Sequence, residues 1–202
     1  MKTKLLTIIA LGMLVLTSCT KYPPSSDRVT DDLAVYTQVD VSANFNDYST
    51  FSINPTVTYI DGKDTTTVNN ANTTALLNRL SADMKKQGFT EVAVTANPNL
   101  GFQVTVLKNT TTTVYYPYYP PYWGYPYYGY GYPYYPTYIS SYSSGSVVID
   151  LADFKNPEPG NRFMVVWNAF IRGLITNTHT QNDVLNCVDQ AFKQTPSLVK
   201  TN

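Results

Sequence analysis

The sequence predicts an α+β fold: a single antiparallel sheet with two helices packed on one face. Two observations carry this. Several segments alternate apolar and polar side chains with the period of a half-buried strand, and two others repeat apolar residues at helical spacing behind good N-caps. The order is strand, strand, helix, strands, helix. Each amphipathic helix has one apolar stripe and needs a sheet face to cover.

Taken in chain order, "VDVSANF" (39–45) sets Val39, Val41, Ala43 and Phe45 on one face and Asp40, Ser42 and Asn44 on the other. "YSTFSI" (48–53) stops at Pro55, and "TVTYI" (56–60) runs into the turn signal "DGKD". A helix is expected from about Asn72, with Leu76, Leu77, Leu80 and Met84 inward and Gly88 as its left-handed C-cap, closed by Phe89. "TEVAVT" (90–95) reads as a short strand and "LGFQVTVLKNTTTTVYY" (100–116) as a long one. "SGSVVIDLADF" (144–154) resumes with Val147, Ile149 and Leu151 in phase. "RFMVVWNAFIRG" (162–173) places Phe163, Val165, Trp167, Ala169 and Ile171 on one face. The last helix opens with Thr180 and Asp183 at capping-box spacing, buries Val184, Leu185, Val188, Ala191 and Phe192, and ends before Pro196. Short links between the later strands imply antiparallel pairing.

The N-terminus addresses the chain to an envelope. In "MKTKLLTIIALGMLVLTSC", Lys2 and Lys4 precede twelve apolar-region residues, Leu5 to Leu16. That is short for a bilayer-spanning helix, which needs roughly 20 apolar residues, and suits a secretory signal. The "LTSC" that follows resembles the bacterial lipobox. The resemblance implies cleavage before Cys19, a lipid thioether on Cys19 and acylation (palmitate or similar) of the new N-terminus, giving more than one hydrophobic anchor. Residues 1–18 are then a lipoprotein signal peptide, 19–37 a lipidated terminus and a Pro/Ser-rich tether, and 38–202 one domain. Thr20 stands where an Asp would favour inner-membrane retention, which points to the outer membrane, periplasmic side, with the cell surface as the alternative.

Composition excludes some partners. The 202-residue chain has 14% charged residues and a formal net charge of zero; losing Lys2 and Lys4 leaves twelve basic against fourteen acidic side chains, a net of −2. Nothing here attracts a phosphate backbone, so no nucleic-acid partner is expected, and "KK" at Lys85 and Lys86 reads as a solvated helix face.

"FNDYSTFSI", "NPNLGFQVTVLKNTTTTVYY" before an aromatic insertion, "GSVVIDLADF", "VVW" ending at Trp167, and a closing helix running to Pro196 occur in this order. Together they resemble the domain-of-unknown-function 4136 family of bacterial envelope lipoproteins, over roughly residues 38–196. The family pattern sets a basic residue and Gly after the Trp; this chain has Asn168 and Ala169. The resemblance implies a fold and a location, and no catalytic activity.

The most unusual stretch is "YYPYYPPYWGYPYYGYGYPYYPTY" (115–138), with thirteen Tyr, six Pro, three Gly and no charge in 24 residues. It belongs to a Tyr/Pro/Gly-rich insertion, 115–142, at a hairpin. Pro at this density prevents a regular helix or central strand. Tyr keeps a hydroxyl in water while its ring packs, and Tyr and Trp give large contact area at low entropy cost. The candidate binding surface is therefore Tyr118, Tyr119, Tyr122, Trp123, Tyr125, Tyr127, Tyr128, Tyr130, Tyr132, Tyr134 and Tyr135. It suits an envelope glycan or protein partner. The alternatives are insertion into the bilayer interface, where Tyr and Trp concentrate, and a mobile low-complexity loop.

A glycan-processing enzyme is the remaining alternative. Asp150 and Asp153 are the only carboxylate pair that suggests acid–base work, and both read as solvated edge charges. The single His, His179, lies in a polar turn, and Cys187 lies in the last helix as a packed thiol, so no catalytic residues, cofactor or metal ligands are expected. "DTT" at Asp64–Thr66 resembles a short bacterial O-glycosylation sequon, making Thr65 a candidate for a sugar in a turn.

Overall fold

The structure, a computed structural model, describes residues 33–62, 64–108, 145–157, 163–174 and 179–199. Eight strands and two helices form within them: β1 (Ala34–Val39), β2 (Thr50–Ile53), β3 (Val57–Asp61), β4 (Asp64–Val68), α1 (Ala71–Lys86), β5 (Thr90–Glu91), β6 (Leu100–Leu107), β7 (Ser146–Asp153), β8 (Val165–Arg172) and α2 (Gln181–Lys193). The class is α+β as expected. The sheet is mixed rather than wholly antiparallel: its order is β1-β8-β7-β6-β2-β5, with β3 also on β6 and β4 on β3. β1–β8, β8–β7, β7–β6 and β3–β4 are antiparallel, while β2 and β3 run parallel to β6 and β2 parallel to β5. The parallel pairs follow from α1, which crosses between β2–β4 and β5–β6 and returns the chain in its original direction.

β2 and β3 are one strand interrupted. Ile53 pairs with Phe102 and Thr58 with Thr105, so five residues on one side span three on the other. The excess is a turn at Asn54–Pro55–Thr56. Pro55 has no N–H to give the ladder, and the Asn54 carboxamide oxygen accepts from both the N–H and the hydroxyl of Thr56, each at 3.0 Å.

The first strand lies earlier than its alternation suggested. β1 ends at Val39, and Val41 is 96% exposed. Asp40 stops it: its carboxylate accepts from the N–H and Oγ of Ser42, at 2.9 and 2.7 Å, which turns the chain. Likewise only Thr90–Glu91 of the predicted 90–95 strand pairs, and Val94–Ala96 forms a 3₁₀ turn.

The last helix is capped as read, while α1 starts at Ala71, slightly before the expected Asn72, with Asn70 as its N-cap. The Asn70 side chain accepts from the N–H of Asn72 and Thr73, each at 3.0 Å, and Thr73 Oγ1 accepts from the Asn70 N–H at 2.8 Å. At the other end Gly88 has φ +94°, and its N–H bonds Lys85 O while Phe89 N–H bonds Met84 O. This is the paired closure that a left-handed residue permits. The Asp183 carboxylate accepts from the Thr180 N–H and Oγ1, at 2.7 and 2.8 Å.

The main core lies between the helices and one sheet face. Leu76, Leu80 and Met84 of α1 and Val188, Ala191 and Phe192 of α2 pack on Phe51, Phe102, Ile149 and Trp167. A chain of rings crosses it: Phe51–Phe102 and Phe102–Trp167 meet edge-on at 6.1 and 6.2 Å, and Trp167–Phe192 at 5.4 Å. The Arg79 guanidinium ties α1 to α2 through both oxygens of Asp189, and this lowers the Asp189 pKa.

The alternation expected of residues 162–173 is broken by a bulge. Leu151 pairs with Trp167 but Ala152 with Val165, so Val166 has no opposite residue. Val166 therefore joins Trp167 in the main core, and Phe163 moves to the other face, 4.7 Å from Phe154.

Candidate functional site

Strands β6 and β7 are buried along their whole length, on both faces. On the face away from the helices, a polar row crosses the sheet in register: Asn54 beside Gln103, Gln103 opposite Asp150, Asp150 opposite Asn168. Asn54 Nδ2 donates to Gln103 Oε1 at 2.7 Å, Gln103 Nε2 donates to Thr58 Oγ1 at 3.1 Å and to Val104 O at 2.9 Å, and Asn168 Nδ2 donates to Asp150 Oδ1 at 2.5 Å. Asp150 is 0% exposed, which corrects its reading as a solvated edge charge. A buried carboxylate needs donors, and Asn168 supplies one. Asp153 is also buried and also corrected. It accepts from the Tyr48 hydroxyl and Asn156 Nδ2, each at 2.8 Å, and from the backbone N–H of Lys155 and Asn156 at 2.8 and 3.0 Å. Burial, and then the Asp153 carboxylate, raise the pKa of Tyr48. Three residues apart on a strand, the two carboxylates point to opposite faces and do not form a pair.

Among the described residues a partly open cleft of about 290 Å³ lies on the helix side. Leu76 of α1, Val106 of β6, Val147 of β7, Val184 of α2 and Leu174 form its apolar walls. The two helix starts bring Asn72, Thr73, Thr180 and Gln181 to it, with His179 beside them. Nε2 of His179 is buried and makes no hydrogen bond. The sequence placed His179 in a polar turn before α2; only the packing of α1 against α2 makes it part of a cleft.

Cys187 is packed in the main core. Burial, helped by the Asp183 carboxylate, pushes its thiol up to about 11. We expect iodoacetamide at pH 8 to modify Cys187 at least about a hundredfold more slowly in the folded chain than in urea, where the thiol returns to about 8.5. Equal rates would mean an exposed, activated thiol. Thr65 lies on the exposed strand β4, paired with Ile60, and not in a turn. The connection is two residues, 62–63, so Asp64 already pairs with Asp61. Among the described residues no three His, Cys, Asp or Glu side chains come together as metal ligands. Cys19, and the aromatic candidates from Tyr118 to Tyr135, lie outside the described residues.

An α+β domain with a mixed sheet, two helices on one face and a long insertion between adjacent antiparallel strands defines the class. The chain belongs to the family "Domain of unknown function (DUF4136)", whose model matches residues 35–197. A DUF4136 family protein from Bacteroides thetaiotaomicron has a similar structure, with a TM-score of 0.69 and 28% identity over 85% of this chain and 100% of that one. A PelC dodecamer from Paraburkholderia phytofirmans aligns at TM-score 0.43 and 10% identity, over 84% of this chain and 99% of that one. A PDZ domain protein from Parabacteroides distasonis aligns at 0.40 and 14%, over 82% of this chain and 37% of that one. Among the curated proteins none matches this chain.

Proposed function

We propose that this chain is an envelope lipoprotein, anchored through Cys19 to the periplasmic side of the outer membrane, whose domain is a non-catalytic binding or structural module with the Tyr-rich segment as its contact surface. One observation carries the reading. Leu107 pairs with Ser146, the last residue of β6 with the first of β7. The intervening stretch, with its thirteen uncharged tyrosines in residues 115–138, thus leaves and re-enters the sheet at adjacent positions on two strands buried on both faces. That is a firm stem for a contact loop. The "LTSC" sequence behind Leu5–Leu16 supports the anchor.

The experiment uses the full chain expressed in its envelope, with Cys19→Ala and with residues 117–137 replaced by a Gly-Ser turn. Wild type should take up labelled palmitate and partition into detergent, and Cys19→Ala should do neither. The loop replacement should keep its unfolding midpoint and lose sedimentation with purified peptidoglycan. A Cys19→Ala chain that still partitions like wild type defeats the anchor. Unchanged sedimentation of the loop replacement moves the contact off the aromatic segment, and release of glycan fragments by wild type replaces the module with an enzyme.

A further inference from the structure

We propose that β4 is the docking edge for a second copy of this chain, the two copies pairing β4 against β4, antiparallel, about a two-fold axis at Thr66. The contact involves neither Cys19 nor the Tyr-rich segment. Its basis is an open sheet edge. Among the described residues β4 pairs only with β3, and Asp64, Thr65, Thr66 and Thr67 are all exposed. An unpaired edge is a template for another strand, and natural edges carry a guard such as a Lys, a Pro, a bulge, a very short length or a covering element. The other described edges have one. On β1, Gln194 at the end of α2 donates from Nε2 to the Val35 carbonyl at 3.2 Å, and β5 is two residues long. β4 holds no Lys or Pro and meets β3 without a bulge, and its one charge, Asp64, stands at the hairpin end. Its Thr-Thr-Thr-Val run is the β-branched composition that suits a strand.

The backbone of this edge is self-complementary. The Lys108 N–H donates to Ile60 O at 2.9 Å, so the backbone groups of Ile60 face β6. Ile60 lies opposite Thr65, and opposed residues of an antiparallel pair exchange both bonds or neither. The N–H and C=O of Thr65 therefore point away from β3. By alternation so do those of Thr67, which lies opposite Thr58. A second β4 centred on Thr66 sets Thr65 against the partner's Thr67 and Thr67 against the partner's Thr65, and every outward N–H and C=O of these residues then finds a partner. A shift of two residues would leave Thr67 opposite the turn. The centred register also sets Asp64 against the partner's Val68, so no like charges face each other, and it pairs Thr with Thr across the axis, a favourable cross-strand combination. The contact is isologous and closes on itself. It is smaller than the roughly 1,200 Å² of stable complexes, so the dimer is weak and reversible.

The test is disulfide trapping of the purified full-length protein carrying Thr66→Cys or Thr65→Cys, under a mild oxidant, read on non-reducing gels beside wild type, which holds Cys19 and Cys187. Across the axis the two residues 66 form a close pair with Cα atoms roughly 4.5 Å apart, within disulfide range, whereas the two residues 65 stand beyond its limit of about 7 Å. We expect Thr66→Cys to form dimer at least about tenfold faster than Thr65→Cys or wild type. Thr65→Pro spares the β3 ladder, because the N–H it removes faces outward, and adding it to Thr66→Cys should abolish the dimer. In sedimentation velocity at high concentration, Thr66→Lys and Thr66→Glu should each be monomeric and should dimerise when mixed, since the two side chains meet at the axis. Circular dichroism melts report whether each variant is folded. No dimer with folded Thr66→Cys, equal trapping at positions 65 and 66, trapping that survives Thr65→Pro, or no association of the mixed charge variants overturns the pairing.

Discussion

Trp167→Ala is expected to lower the unfolding free energy by about 3–5 kcal/mol, the range for removing a buried aromatic. Trp167 is 1% exposed and stands at the centre of the ring chain from Phe51 to Phe192. Its indole N–H donates to Thr195 Oγ1 at 3.0 Å, which ties β8 to the segment after α2. Truncation leaves a cavity facing Phe102 and Phe192 and takes away that bond. Domains are commonly stable by only about 5–15 kcal/mol, so the variant should unfold at much lower urea or lose its cooperative transition. Trp167→Phe keeps most of the ring, loses the donor, and should cost roughly 1–2 kcal/mol. Urea titration followed by far-UV circular dichroism measures both. A loss below about 1 kcal/mol for the alanine variant would mean that the helix layer does not depend on this contact.

Gly101→Ala should destabilise the fold by about 1–3 kcal/mol or more, although alanine is otherwise the better residue in ordered backbone. A Cβ at position 101 would lie 2.1 Å from Cε2 and 2.3 Å from Cζ of Phe154. The Phe154 ring lies over the glycine, buried with Ala152 and packed on Phe163, so it has no free direction to move. The sign should therefore depend on its neighbour. Phe154→Ala alone should cost about 3–5 kcal/mol, and adding Gly101→Ala to it should cost nothing further. That non-additivity in a double-mutant cycle is the signature of direct steric conflict. Equal effects of Gly101→Ala in both backgrounds would place its cost in the backbone instead.

Much of the architecture was legible residue by residue. The Thr180 cap and the Gly88 closure are local: each depends on residues within a few positions, so the sequence displays them directly, while the start of α1 was read near Asn72 and its cap is Asn70. The strand cores at Val104, Ile149 and Trp167 were legible for the same reason. Beginnings and ends were less so. The alternation of residues 39–45 was genuine, but the Asp40 carboxylate bonds to Ser42 and turns the chain before the pattern can act. Phe163 and Val166 exchanged faces because a bulge opposite Ala152 shifts the period by one residue, and a bulge depends on pairing with another strand.

The candidate site divides in the same way. The lipobox-like end at Cys19 and the uncharged aromatic segment are compositional, and composition needs no fold to be read. The polar row through Gln103, Asp150 and Asn168 joins residues on different strands, and alternation alone assigned Asp150 to water. The cleft beside His179 exists only where α1, α2 and three strands meet. The sequence by itself determined most element types, the Thr180 cap and the Gly88 closure, because these follow from near neighbours. Tertiary structure decided strand direction, which polar groups are buried and where a cavity opens, because these arise from contacts between residues far apart in the chain.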